Sequence, residues 1–329
     1  MSSDKAVSCK GAHLKVLYKY MPLRQDFFND PLLRLTQPYC LNDPFDSKPT
    51  KEAVRKKIAF MSDDMGEGAG FVSDEEINLK HADTREYLET ELHKFGIISL
   101  TENPHNLLMW SHYADEHNGI VIAISNSEDT FSFSKNAFKS SRIGEKKAVR
   151  VRYDNKRPSH DIPDECIFSI YEDEFFRHFA LVKSDSWMYE KEHRFLIPTT
   201  ESDVAILNIS NETISIDEFE KYLHQRKIDF ICVGSKYIFE NENINLPFNN
   251  LAKVLNDDVV KSMGSLLFFK RLMPSAIQSI YFGCRVSNEI IDEVIQSVRQ
   301  NNRFSSNLTF YRTLENSDRF DVDFEAIYN

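Results

Sequence analysis

A strand that opens on two carboxylates is the tightest constraint this chain places on its own folding. Glu190-Lys191-Glu192-His193-Arg194 runs without a break into Phe195-Leu196-Ile197-Pro198, and an apolar stretch of that length reads as a buried strand. Alternate side chains of a strand share a face, so Glu190 and Glu192 are expected on the same side of the pleat as it begins. Two acids held side by side tend to raise one carboxyl pKa and to recruit a cationic or hydroxyl partner. Lys191, His193 and Arg194 are close enough in sequence to neutralise a plain solvated turn. The residues therefore allow two readings: an exposed turn, or a pair of acids placed where positive charge develops in a transition state.

The rest of the chain supports burial. Its 329 residues are enough for one large domain or two modest ones. A hydrophobic share of 41%, with 25 Phe and 13 Tyr, indicates an aromatic-rich globular protein. The balance of 40 basic against 51 acidic residues, a net charge of −11, argues against a broad phosphate-binding surface and leaves room only for a local basic groove. Cys9, Cys40, Cys166, Cys232 and Cys284 are odd in number and form no C-x-x-C pair, so they read as reduced thiols. The N-terminus lacks the order of a signal peptide, and no apolar run approaches the ~18 residues of a membrane span. A soluble cytoplasmic protein without a membrane partner is expected.

The pattern gives a loose tail over 1–12 and a weak boundary between Thr200 and Asp217, and because both halves contribute apolar strands it fits one composite domain as well as two. Strands are expected at 14–20, 32–36, 96–101, 119–125, 147–153, 204–209 and 228–234, the last one buried. Helices are expected at 51–61, 73–94, 106–116, 165–182 and 217–225. A long helix over 251–273 is followed by a strand at 277–283, a helix at 287–300 and a strand at 308–312. The fold class is α+β, with mixed twisted sheets and surrounding helices plus that strand-helix-strand extension.

Four clusters combine ring surfaces with polar tips. They are Leu17-Tyr18-Lys19-Tyr20, Asn42-Asp43-Pro44-Phe45-Asp46, Met109-Trp110-Ser111-His112-Tyr113, and the acid pair. Trp110 and Tyr113 share a helix face that can hold a flat ring or pack in a core. Asn42-Asp43-Pro44 can be an Asx turn or a ligand contact. His112 and His117 lack the spacing of H-E-x-x-H, so no metal is expected. P-loop, G-x-G-x-x-G, G-x-S-x-G and kinase signatures are missing from the sequence.

Taken in order, the four clusters resemble the bacterial family catalogued as domain of unknown function 2971, over about residues 15 to 235. That resemblance implies a family core over 13–235 with a C-terminal α/β extension over 236–329 packed on it, and a stand-alone cytoplasmic bacterial protein with a role in anti-phage defence or as a toxin. A weaker resemblance carries a mechanism. Glu190-Lys191-Glu192 leading into Phe195-Leu196-Ile197-Pro198 is similar to the E-x-E strand of ADP-ribosyltransferases, and Leu17-Tyr18-Lys19-Tyr20 is similar to their first strand. Lys19 stands where that family usually places Arg or His, and its Ser-Thr-Ser strand has no clean counterpart here.

That second resemblance implies an ADP-ribosyltransferase-like core and an enzyme that cleaves NAD at the nicotinamide bond, passing ADP-ribose to water or to a protein or nucleic-acid acceptor. Glu192 would stabilise the oxocarbenium-like charge through a ribose hydroxyl, and Glu190 would orient the acceptor. Lys19 would meet a phosphate, Tyr20 with Tyr113 or Trp110 would hold the nicotinamide ring, and Arg194 would set the charge state of the acids. Two alternatives stand beside it: a non-catalytic sensor or interaction module, and a nuclease effector with Asp43, Asp46, Glu190 and Glu192 as magnesium ligands.

Overall fold

The strands of a computed structural model of the chain run, in order, β1 (Val16–Met21), β2 (Leu32–Leu35), β3 (Phe95–Thr101), β4 (Ile120–Ser125), β5 (Val149–Arg150), β6 (Arg152–Asp154), β7 (Val182–Ser184) and β8 (Glu192–Pro198). They continue with β9 (Val204–Ile209), β10 (Ile231–Val233), β11 (Lys236–Glu240), β12 (Gly264–Arg271), β13 (Ile277–Phe282), β14 (Thr309–Glu315) and β15 (Val322–Ala326). The helices are α1 (Lys51–Asp64), α2 (Leu107–Tyr113), α3 (Glu172–Ala180), α4 (Ile216–Gln225), α5 (Asn250–Leu255), α6 (Asp258–Met263) and α7 (Asn288–Gln300). The structure describes residues 14–64, 94–134, 146–158, 172–210, 214–241, 250–255 and 257–327. The tail expected over 1–12 falls outside them, as does the helix expected over 73–94 apart from residue 94.

Among these residues the strands form an eight-stranded sheet, β15-β14-β13-β4-β1-β3-β8-β5, a five-stranded sheet, β10-β11-β9-β12-β2, and the small pair β6-β7. Both large sheets are mainly antiparallel, while β13 and β14 run parallel, joined by α7. The strand-helix-strand unit is therefore present. Residues beyond 235 are woven into both sheets: β12 lies between β9 and β2, and β13 lies beside β4.

Burial follows from alternation. Ile98, Leu100, Phe195 and Ile197 point into the main core, which also holds Leu17, Ile122, Leu207 and Phe268. Phe95, Ile97 and Leu196 point the other way, onto Ile58, Phe175, Phe176 and Phe179. Strands covered on both faces read as continuous apolar runs, which is why β3, β4 and β8 were legible. By the same parity Glu192 and Arg194 sit on the Leu196 face of β8. A bridge between Thr36 and Ile97 ties the end of β2 to β3 and so joins the two large sheets.

Three expectations are corrected. The helix over 251–273 is two short helices and a strand. Asp257 caps α6 by accepting from the Val259 and Val260 N–H groups, which stops α5 from continuing, and Leu266-Leu267-Phe268-Phe269 pairs with β9 instead of coiling. The strand over 228–234 is the exposed edge strand β10, not a buried one, with Ile231 56% and Val233 59% exposed. The helix over 165–182 ends at Ala180, and Val182 already belongs to β7.

Gly264 opens β12 because nothing larger fits: a Cβ there would meet the Asn208 carbonyl oxygen at 2.0 Å. Gly264→Ala should lower stability by about 1–3 kcal/mol, read as a shift in the urea midpoint. An unchanged midpoint would place β12 differently against β9.

Candidate functional site

The residues singled out along the sequence meet at a cavity of about 220 Å³. Strand β1 supplies Tyr18, Lys19 and Tyr20, β3 supplies Ser99, α2 supplies Tyr113, and the entry into β8 supplies Glu190, Glu192 and Arg194. Asn42 and Asp46 come from the loop after β2, and Lys183 comes from β7.

Helix α2 is built to present Tyr113. Asn106 caps it by accepting from the Leu108 and Met109 N–H groups, a strongly preferred arrangement, while its Nδ2 donates to the Tyr189 carbonyl at 2.7 Å. The Tyr20 hydroxyl donates to the Asn103 carbonyl at 2.9 Å and accepts from the Asn106 N–H at 3.2 Å. The helix start is thereby pinned to β1. The Tyr113 hydroxyl donates to Glu190 Oε1 at 2.7 Å and accepts from Asn42 Nδ2 at 3.1 Å.

Trp110 takes the core place, one of the two open to it on this helix face. It is fully buried, donates from Nε1 to the Pro104 carbonyl at 2.9 Å, and packs edge-on against Tyr20 with ring centroids 5.3 Å apart. It does not line the cavity. Trp110 supports the wall from behind, because its indole is used up in the small core of Tyr20, Met109 and Val121.

The two acids are organised by buried cations. Glu190 ends a 3-10 turn, Lys191 takes a left-handed conformation at φ 45°, and Glu192 is the first residue of β8. The pair therefore does not share one pleat. It is united by Lys183, whose Nζ lies 2.6 Å from Glu190 Oε2 and 3.2 Å from Glu192 Oε2. Arg194 donates from Nε and Nη2 to Glu192 at 2.8 and 2.9 Å, and from Nη1 and Nη2 to Asp46 at 2.8 and 2.6 Å. Nη1 also reaches Ser47 Oγ and the Ala180 carbonyl. Every N–H of this guanidinium is engaged, so Arg194 orients Glu192 and Asp46 and has no donor left for a cofactor. The Tyr153 hydroxyl accepts from the Glu192 N–H at 2.7 Å.

These contacts invert the expected proton balance. Burial alone would raise the Glu192 carboxyl, but the Arg194 and Lys183 charges outweigh it and hold the group down at about 2. Burial alone would lower Lys183, yet Glu192 and Glu190 carry it above its ordinary value, and Arg194 is raised by Glu192 and Asp46 against the same opposing burial. Lys19 behaves differently. Burial lowers it, with Glu192 and Glu190 offsetting only part of the effect. Its Nζ donates to the Ser99 carbonyl at 3.0 Å, and the nearby acids are already neutralised by Lys183 and Arg194. Burial also raises Tyr113, reinforced by its hydrogen bond to Glu190, so it stays a neutral donor.

The depressed Glu192 has a consequence for acid stability. Its folded value lies below the ordinary 4.5, so the stabilisation is present above about 4.5 and lost as pH falls towards about 2. The amount is about 3 kcal/mol. Urea unfolding across that window should show Glu192→Gln losing less stability than the wild type by that amount. Parallel pH curves would contradict it.

The carboxylates weighed as magnesium ligands are arranged for other partners. Asp46, Glu190 and Glu192 converge on Lys183 and Arg194, and Asp43 accepts from the Phe45 N–H at 2.9 Å in the Asx-type turn. Among the described residues no group of three or more His, Cys, Asp or Glu is placed to hold a metal ion. His112 and His117 do not line the cavity. Lys183, Ser99 and Tyr153 escaped the sequence reading; the only sign of Lys183 is a single cation directly after the apolar run Ala180-Leu181-Val182.

Residues 109–195 match the family model for Protein of unknown function (DUF2971). The DUF2971 segment runs from α2 into β8 and contains Tyr113, Lys183, Glu190, Glu192 and Arg194. Lys19, Tyr20, Asn42 and Asp46, which complete the cavity, precede it, so the match is narrower than the stretch over which the sequence resembles this family. No curated protein and no solved structure matches the chain. Among the described residues no helix is long and apolar enough to cross a membrane.

Proposed function

We propose that the cavity is the active site of an enzyme that breaks the glycosidic bond of a nucleotide, with NAD as substrate and ADP-ribose passed to water or to a macromolecular acceptor. One observation carries the reading: Lys19, Tyr20, Tyr113, Glu190 and Glu192, far apart in sequence, line a single cavity. At about 220 Å³ it is smaller than the ~300–1,000 Å³ of sites that enclose a drug-sized ligand. It suits the nicotinamide riboside end of NAD, with the remainder lying outside.

The hydrogen-bond pattern favours exchanging the roles that the resemblance assigns to the two acids. Both Glu192 oxygens are held by Arg194, and one of them also by Lys183. Each Glu190 oxygen accepts one bond, from Tyr113 or from Lys183, and a carboxylate oxygen has capacity for two. Glu190 is thus the acid able to accept a ribose hydroxyl. As the C–N bond breaks, its electron pair leaves with nicotinamide. Glu190 and the fixed anion of Glu192 then oppose the positive charge on the sugar. An incoming water or hydroxyl group adds to that carbon and gives its proton to Glu190. Lys19 offers its remaining donors to an anionic group of the substrate.

The saturation of Glu192 favours a second reading, a rigid sensor pocket that holds the same ligand without consuming it. Incubation with NAD separates the two. The enzyme reading expects release of nicotinamide together with thermal stabilisation by NAD. Stabilisation without release supports the sensor, and the loss of both removes NAD from consideration.

A further inference from the structure

A second cavity backs onto the first. Asp46 and Lys183 line both, so the 3.8 Å contact between Lys183 Nζ and Asp46 Oδ2 forms part of the wall between them. This compartment also measures about 220 Å³, and none of the roles assigned above uses it.

Its lining carries four cations, Lys48, Lys156, Arg157 and Lys183, against the carboxylates of Asp43, Asp46 and Asp154. The carboxylates have local tasks. Asp43 accepts from the Phe45 N–H, Asp154 accepts from the Lys156 N–H at 3.1 Å, and Asp46 is paired with Arg194. Lys183 is engaged by the two glutamates. Lys156 and Arg157 are exposed, and among the described residues neither has a carboxylate within 4.0 Å. Arg157 donates from Nη2 to the Lys48 and Pro49 carbonyls at 2.8 and 3.2 Å, which fixes its position and leaves Nε and Nη1 available.

Phe45 adds a ring to this basic rim. It is 63% exposed, unusual for a Phe in so aromatic a chain, and the Arg157 guanidinium lies 5.7 Å from its centroid. A guanidinium and an ammonium with open donors recognise a phosphate. An exposed ring beside them offers a flat base a stacking surface.

We propose that the second cavity binds a nucleoside monophosphate, with the phosphate on Lys156 and Arg157 and the base against Phe45. The site stands on its own residues and does not depend on the activity assigned to the first cavity.

Isothermal titration of the full chain with AMP, adenosine and inorganic phosphate tests it. AMP should bind at least about tenfold more tightly than either fragment, since each fragment lacks half of the contacts. Lys156→Glu, a change at an exposed side chain, should weaken AMP at least about tenfold while leaving the melting temperature unchanged. Phe45→Ala should weaken AMP and leave phosphate binding as it was, and Tyr113→Phe in the first cavity should leave AMP binding as it was. Absence of AMP binding at millimolar concentration, equal binding of adenosine and AMP, or indifference to Lys156→Glu would overturn the proposal. So would loss of AMP binding in Tyr113→Phe, which would put the nucleotide in the first cavity.

Discussion

Replacing Arg194 with Met should destabilise the fold by about 3–5 kcal/mol, the cost of removing one partner from a buried ion network. Arg194 is 1% exposed and makes paired contacts with both Glu192 and Asp46. Its loss leaves two buried carboxylates that, among the described residues, share Lys183 as the one remaining cation within 4.0 Å. Lys183 sits 3.2 Å from Glu192 but 3.8 Å from Asp46, so it cannot serve both while also holding Glu190. Arg194→Lys should recover only part of the loss, because an ammonium lacks the planar fork that meets two carboxylates at once. Equilibrium urea unfolding of the two variants reads this directly. A loss below about 1 kcal/mol for Arg194→Met would mean that the network is solvated and not a buried frame.

This frame explains why the acid pair was only half legible in the sequence. The spacing of Glu190 and Glu192 and the apolar run behind them announced two carboxylates entering a buried strand, and Glu192 does open β8. The strand's inward faces followed from alternation, since both sides of β8 are covered. What spacing could not convey was the left-handed Lys191, which puts Glu190 in a turn. Nor could it convey the arrival of Lys183 and Asp46 from other elements. Lys183 is one lysine in a two-sided apolar context, and its role arises only when β7 is laid beside the acid pair. Trp110 was legible as a large ring on one helix face with Tyr113. Which of the two reached the cavity depended on how Asn106 and Tyr20 seated the helix, a tertiary matter.

The fold divided in a similar way. Strands β3, β4 and β13 carry their identity in local apolar pattern. Residues 264–271 are equally apolar and followed a helical stretch, so pattern alone extended the helix. The break lies in the cap at Asp257 and in the pairing of β12 with β9 and β2, and that pairing joins segments more than fifty residues apart. Exposure of β10 was likewise invisible, because an edge position is a property of the whole sheet.

The second large effect concerns catalysis. Glu190→Gln keeps the shape of the side chain and one acceptor oxygen but removes the charge that opposes the developing cation, and it withdraws the base for the incoming nucleophile. Losing a preorganised electrostatic group of this kind lowers turnover by about 10²–10³-fold. Glu190 lies on a turn outside the Arg194 pairings, so the substitution should cost far less stability than Arg194→Met, and NAD should still bind. Nicotinamide release from NAD, followed for the wild type and for a folded Glu190→Gln variant at equal occupancy, is the most direct measurement of whether this cavity does chemistry. Release by the wild type with a loss of at least about a hundredfold in the variant is the predicted result; equal release by the two proteins, or none from the wild type, would contradict the account.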